Sequence, residues 1–370
     1  PEIIRRHGYP IQNYTVTTKD GYVLTLFRIP HGRNASTEQM RSPVLVQHGI
    51  SVSSMVFVNI GKKSLAFTLS DSGYDVWLGN LRGSQYSNRH LHLSNLDERY
   101  WNFSFHENGI YDVPAQLDLI TEITQQKVFY IGYSMGATAY YIYNVEYPDK
   151  ASKTIKASVS MAPIAFLKHI DTPIKHLVPL WSLVKDLTYD ITNGAINQRT
   201  PEFITNRARQ CLPFPNQMQA CLILGYFLFG YDGSQEEPEL LPVFVMQESD
   251  AIGIKTVNHF VQLIETGRFT KYDYGNLNEE VYGMSIPPVY NLSKINVPNY
   301  FIRAHKDPLA TKKNVYETYM ALPEHTRPFD IYLVDYKPFT HGDFIMARDV
   351  KKLVYDHIVN FLNSNKNRFL

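Results

Sequence analysis

The stretch Lys127-Val-Phe-Tyr-Ile-Gly-Tyr-Ser-Met-Gly-Ala137 decides how the chain is read. Its first five residues are a short apolar run of β-branched and aromatic side chains, the composition of a strand buried in a parallel sheet. From about Ala137 to Tyr147 the pattern is helical. Between the two lies Gly132-Tyr-Ser134-Met-Gly136, a G-x-S-x-G pentapeptide at a strand-to-helix turn. A serine in that turn is forced into a strained conformation while the glycines let strand and helix backbones approach closely. Its hydroxyl then projects from the carboxyl edge of the sheet, beside a helix N-terminus that favours developing negative charge. The plain alternative is that Ser134 only caps a helix.

Outward from this turn the chain alternates. Tyr14 to Thr18 and Tyr22 to Ile29 read as a hairpin around Lys19-Asp-Gly21, and Pro43 to Gln47 as a buried strand. A helix is expected near Ser64–Ser72, a strand over Tyr74–Leu78 and a helix over Val113–Thr124. From about Ile164 to Pro287 this rhythm breaks into a proline-punctuated, helix-leaning segment without a strand period. It resumes with a strand from Val297, a helix near Lys312–Ala321, a strand over Phe329–Val334 and a closing helix over Val350–Leu362. The expected organisation is a mostly parallel α/β sheet with helices on both faces, the α/β-hydrolase arrangement. Residues 1–163 and 288–370 are thus the two sequence pieces of the sheet domain, with the helix-leaning segment 164–287 inserted between them.

A serine nucleophile needs a base, and the base needs an orienting acid. In this arrangement the chain order is serine, acid, histidine. The strand from Asn299 ends in His305-Lys-Asp307, and the next leads to Phe339-Thr-His341. Asp307 and His341 are therefore the expected partners of Ser134. Asp335 is the runner-up acid, and Asp330 lies too early in its strand. His325 and His357 read as surface residues. Backbone N–H groups of Met135 and of Ile50, after Gln47-His48-Gly49, are the expected oxyanion donors. His48 itself reads as a structural hydrogen-bonding residue.

Other chemistries find little footing. Lys and Arg total 36 against 35 Asp and Glu, scattered along 370 residues, so nothing marks a nucleic-acid partner. Ile60-Gly-Lys-Lys-Ser64 resembles a phosphate loop only faintly, since Val56 stands where its first glycine belongs. His90-Leu-His92 lacks carboxylates at ligand spacing, and neither a metal nor a cofactor is expected. The longest apolar stretch, Ala220 to Tyr231, is too short to span a bilayer, so no transmembrane segment is expected. The first residues, Pro-Glu-Ile-Ile, read as a mature or trimmed chain. Sequons begin at Asn13, Asn34, Asn102 and Asn291; Cys211 and Cys221 could be a short-loop disulfide or two buried thiols. Together these point to the secretory route, with a secreted protein expected and a lysosomal one as the alternative.

With these residues assembled, the chain resembles the acid lipase family, which includes gastric and lysosomal acid lipases. The resemblance runs nearly end to end, through His7-Gly-Tyr-Pro-Ile-Gln, Gln47-His-Gly, Ser72-Gly-Tyr-Asp-Val-Trp-Leu-Gly-Asn-Leu-Arg-Gly83, Trp101-Asn-Phe-Ser-Phe, Tyr272-Asp-Tyr-Gly and His341-Gly-Asp-Phe344. It implies a triad of Ser134, Asp307 and His341, a cap and lid over the site, and a disulfide between Cys211 and Cys221. It also implies hydrolysis of triacylglycerols or sterol esters at a lipid–water interface. The family usually shows G-H-S-Q-G at the elbow; this chain has Tyr133 and Met135 instead, which reads as retuned catalysis. Two other readings are a lipase-derived carrier of a hydrophobic ligand and an esterase of soluble short-chain esters.

Overall fold

The computed structural model describes residues 1–33, 39–247, 250–366 and 368. Eleven strands occur among them: β1 (Gln12–Thr17), β2 (Tyr22–Ile29), β3 (Pro43–Gln47), β4 (Asp75–Gly79), β5 (Arg89–His90), β6 (Val128–Tyr133), β7 (Ile155–Met161), β8 (Ala195–Ile196), β9 (Ile252–Gly253), β10 (Asn299–Arg303) and β11 (Tyr332–Leu333). The large sheet runs β1-β2-β4-β3-β6-β7-β10-β11, with β5 paired to β2. The β1–β2 hairpin is antiparallel, as is β2 against β4; from β4 to β11 every pairing is parallel. This is the mostly parallel α/β architecture that the alternating sequence pattern implies.

Central strands β3, β4, β6 and β7 are buried along their whole length, and β3, β4 and β6 carry the mostly apolar sequences that such burial favours. β7 is the one that the apolar-run criterion does not find. Its sequence, Ile-Lys-Ala-Ser-Val-Ser-Met, interrupts the run with a lysine and two serines. Two of the three are buried with partners: Ser158 Oγ donates to Asn299 Oδ1 at 2.6 Å, and Lys156 Nζ reaches the Lys366 carbonyl while lying over the Phe129 ring. β7 thus precedes the break expected at about Ile164 without being marked by an apolar run. At the far edge β11 keeps only two residues, Tyr332 and Leu333, of the six expected, because only β10 lies beside it.

Between Met161 and Asn299 the described residues add nothing to the large sheet. They form the helices Val178–Ile191, Pro201–Cys211, Pro215–Phe229, Leu241–Gln247 and Ile254–Thr266, plus the two-residue ribbon β8–β9. The Cys211–Cys221 disulfide joins the second and third of these helices. Helix Val178–Ile191 turns Leu180, Leu183, Leu187 and Ile191 toward solvent, and Pro215–Phe229 exposes Ile223, Leu224 and Phe227. No helix among the described residues is long and apolar enough to cross a membrane.

Candidate active site

β6 ends at Tyr133 and the helix Met135–Glu146 begins two residues later, so Ser134 must turn the chain alone. It does so with φ +53°, a left-handed conformation that costs a non-glycine residue about 1–3 kcal/mol. What enforces it is close packing on both sides. A Cβ on Gly136 would lie 2.4 Å from the Gln47 carbonyl oxygen, and one on Gly132 would lie 2.7 Å from the Ala137 nitrogen. The turn is also tied by Ser134 N–H to the Met161 carbonyl at 3.0 Å.

Two loops at the same sheet edge reach this serine. His341 Nε2 lies 2.9 Å from Ser134 Oγ, and His341 Nδ1 lies 2.8 Å from Asp307 Oδ2. The second carboxylate oxygen, Asp307 Oδ1, accepts the Leu309 and Ala310 N–H groups at 2.9 and 2.7 Å, which fixes the carboxylate's orientation. All three side chains are buried. The runner-up residues lie elsewhere: Asp330, Asp335 and His325 are exposed, and His357 is half-buried against Tyr332, with Nε2 2.9 Å from the Tyr332 hydroxyl.

On the opposite side, Met135 opens its helix, where first-turn N–H groups have no helical acceptor. Met135 and Ile50 line one cleft together with His48, Leu81, Trp101 and Ala251. His48 has both ring nitrogens engaged within this loop. Its Nδ1 contacts the Gly49 carbonyl at 2.8 Å, and its Nε2 accepts the Leu81 N–H at 3.1 Å. Burial pushes its pKa down to about 4. His48 is therefore a neutral strut between the ends of β3 and β4.

Three contacts at the site escape sequence reading. The Tyr133 hydroxyl donates to the His341 carbonyl at 3.0 Å, so the residue before the serine also holds the histidine's backbone. Phe229, at the end of its helix, accepts the His341 and Gly342 N–H groups at 3.0 and 3.3 Å and stacks its ring on the imidazole at 5.7 Å. Asp250 N–H donates to the Ser51 carbonyl at 2.8 Å, one residue beyond Ile50. The partners are separated by 112 to 208 positions, and no local pattern announces such pairings. Of the sequons, Asn13, Asn102 and Asn291 are exposed, while Asn34 lies outside the described residues.

A sequence profile described as "alpha/beta hydrolase fold" matches residues 42–332, and one described as "Partial alpha/beta-hydrolase lipase region" matches residues 1–61. Human gastric triacylglycerol lipase is 33% identical, over 99% of this chain and 91% of its own length. Mouse lipase member K is 32% identical over 98% of this chain and 90% of its own. The chain belongs to the α/β-hydrolase lipase family. Among solved structures, an esterase from Exiguobacterium antarcticum aligns with a TM-score of 0.54 at 13% identity, covering 95% of this chain and all of that one. A monoacylglycerol lipase from Paleococcus ferrophilus aligns at 0.52 and 16%, covering 92% and 99%. At such identities these two speak for the shared fold alone. Membership in this hydrolase family fits a site that presents an alcohol, an imidazole and a carboxylate in hydrogen-bonded sequence.

Proposed function

We propose that this protein is a secreted serine hydrolase that cleaves carboxylic esters of lipids, triacylglycerols or sterol esters, through an acyl-enzyme. The observation that carries this reading is the continuous hydrogen-bond chain from Ser134 Oγ through His341 to Asp307, on a serine held at positive φ. Ser134 Oγ attacks the ester carbonyl as its proton passes to His341 Nε2. Asp307 holds the imidazole tautomer and steadies the imidazolium that forms. The tetrahedral oxyanion accepts hydrogen bonds from the Met135 and Ile50 N–H groups. Collapse breaks the ester C–O bond, and the departing alkoxide takes the proton from His341. Water, deprotonated by the same nitrogen, then releases the fatty acid and restores the serine.

A lipid substrate is supported by the relatives' names and by the apolar side chains that the 164–287 segment turns outward. We assign that segment as cap and lid, with Phe229 sealing the site in the closed state, and 1–163 with 288–370 as the core. The disulfide and the exposed asparagines of three sequons suit passage through an oxidising, glycosylating compartment. The carrier reading has no observation in its favour.

Replacing Ser134 with Ala is expected to lower turnover of emulsified triacylglycerol at least about 10⁴-fold. An organophosphate probe should label the parent protein at Ser134 and leave the variant unlabelled. Near-normal hydrolysis by Ser134→Ala refutes the mechanism. Faster turnover of dissolved short-chain esters than of emulsions refutes the lipid assignment in favour of a soluble-ester esterase.

A further inference from the structure

We infer that Asp250, a residue of the inserted segment, is a positioning residue that holds the loop carrying Ile50 in its oxyanion-binding conformation. The inference rests on the reading of Ile50 N–H as an oxyanion donor. Ser51 follows it directly and sits at φ +64°, a conformation that an L-residue keeps only when its surroundings hold it there. What holds it is Asp250. The Asp250 N–H donates to the Ser51 carbonyl at 2.8 Å, and the Ser51 hydroxyl points back to the Asp250 carbonyl at 3.5 Å.

Asp250 is in turn fixed by its own side chain. The carboxylate is almost fully buried, with Oδ2 accepting the Gln85 N–H at 2.9 Å and Oδ1 accepting the Ala251 N–H at 3.0 Å. Gln85 closes a ring by donating from Nε2 to Ser53 Oγ at 2.9 Å, two residues beyond Ser51. The inserted segment thus completes a circuit from Ser51 to Asp250 to Gln85 to Ser53. Both of its carboxylate partners are donors, so only an ionised carboxylate satisfies both; an amide or a neutral acid can accept from one with its carbonyl oxygen and sets a proton against the other. Burial raises the Asp250 pKa to about 6, opposed by the two N–H groups and by Arg199; Tyr86 is the other titratable side chain that senses it. Docking of this part of the insertion and completeness of the oxyanion hole are therefore one event.

The test is Asp250→Asn, alone and combined with Ser51→Gly, alongside Ser134→Ala. Turnover of a short-chain p-nitrophenyl ester and affinity for a trifluoromethyl ketone are measured at pH 7.5. Asp250→Asn is expected to lower kcat about tenfold or more with KM within about twofold, and to weaken ketone binding by the same factor. A role in folding alone would not tie those two losses together. Glycine adopts positive φ without restraint, so Ser51→Gly is expected to return much of the lost kcat. Unchanged kcat in Asp250→Asn, or no recovery in the double variant, overturns the inference. If the parent itself lacks Ser134-dependent hydrolysis, the broader functional reading has failed instead. Should Asp250→Asn not fold, hydrogen exchange of the Asp250 amide in the parent protein decides. Because docking raises the Asp250 pKa to about 6, opening that frees the carboxylate should, after correction for intrinsic rates, be about tenfold less frequent at pH 5 than at pH 7.5, and equal protection overturns the inference.

Discussion

His48 makes the structure sensitive to acid in a way that can be worked out from one side chain. Its Nε2 must stay unprotonated to accept the Leu81 N–H, and burial holds its pKa near 4, against about 6.5 for an exposed imidazole. A histidine whose pKa is depressed by folding contributes stability that is fully present above the unfolded value. That stability is lost as pH falls from about 6.5 toward 4, where the loss reaches its plateau. Between pH 7 and pH 5 the loss amounts to about 2 kcal/mol, and the plateau is about 3 kcal/mol. Asp250 and Asp343 act with the opposite sign. Burial raises both to about 6, so their contribution is greatest in acid and is lost as pH rises through 6; each returns about 1 kcal/mol on going to pH 5. The comparison of parent with His48→Gln cancels them. Glutamine offers Leu81 an acceptor and does not titrate. Urea unfolding at pH 7 and pH 5 should show the parent losing about 2 kcal/mol more than the variant. Parallel losses in the two proteins would refute the account of His48 as a neutral strut.

Other substitutions probe other parts of the site and its supports. Gly136→Ala should cost more than about 3 kcal/mol or yield insoluble protein, because its methyl meets the rigid Gln47 carbonyl; a thermal melt within a degree or two of the parent would contradict this. Arg82 is fully buried between Asp112 and Asp20, so Arg82→Met should destabilise by about 3–5 kcal/mol by stranding the buried Asp112 charge, as read by urea titration. Tyr133→Phe removes only the hydroxyl that holds the His341 carbonyl. It is expected to lower kcat several-fold while costing about 1 kcal/mol of stability, and unchanged kcat would show the bond to be idle. Replacing Cys211 and Cys221 with Ser opens a ten-residue link worth about 3 kcal/mol, and limited proteolysis should then cut within residues 201–229 first.

Much of this was legible from residue order alone. Ser134, Asp307 and His341 could be picked out because each follows a strand whose apolar run is visible, and a parallel sheet delivers successive strand ends to one edge. β7 carries no apolar run to mark it, and the partners that satisfy Lys156 and Ser158, Lys366 and Asn299, lie more than 140 positions away. β11 was drawn too long because an edge strand stops where its single neighbour stops, whatever its own propensity. Tyr133 could be flagged as unusual, yet its bond to His341 depends on where the final loop lands. The same holds for Phe229 and Asp250, whose roles arise from how the inserted segment packs back on the sheet.

The strand order has a consequence for biosynthesis. β10 lies beside β7 although 137 residues separate the end of one from the start of the other, and Asp307 and His341 both follow β10. A nascent chain on the ribosome therefore presents Ser134 long before Asp307 and His341 are made. Under the proposed mechanism, a translation product that stops short of β10 would carry the serine without its base, and hydrolytic capacity would arrive only with the docking of the last seventy or so residues.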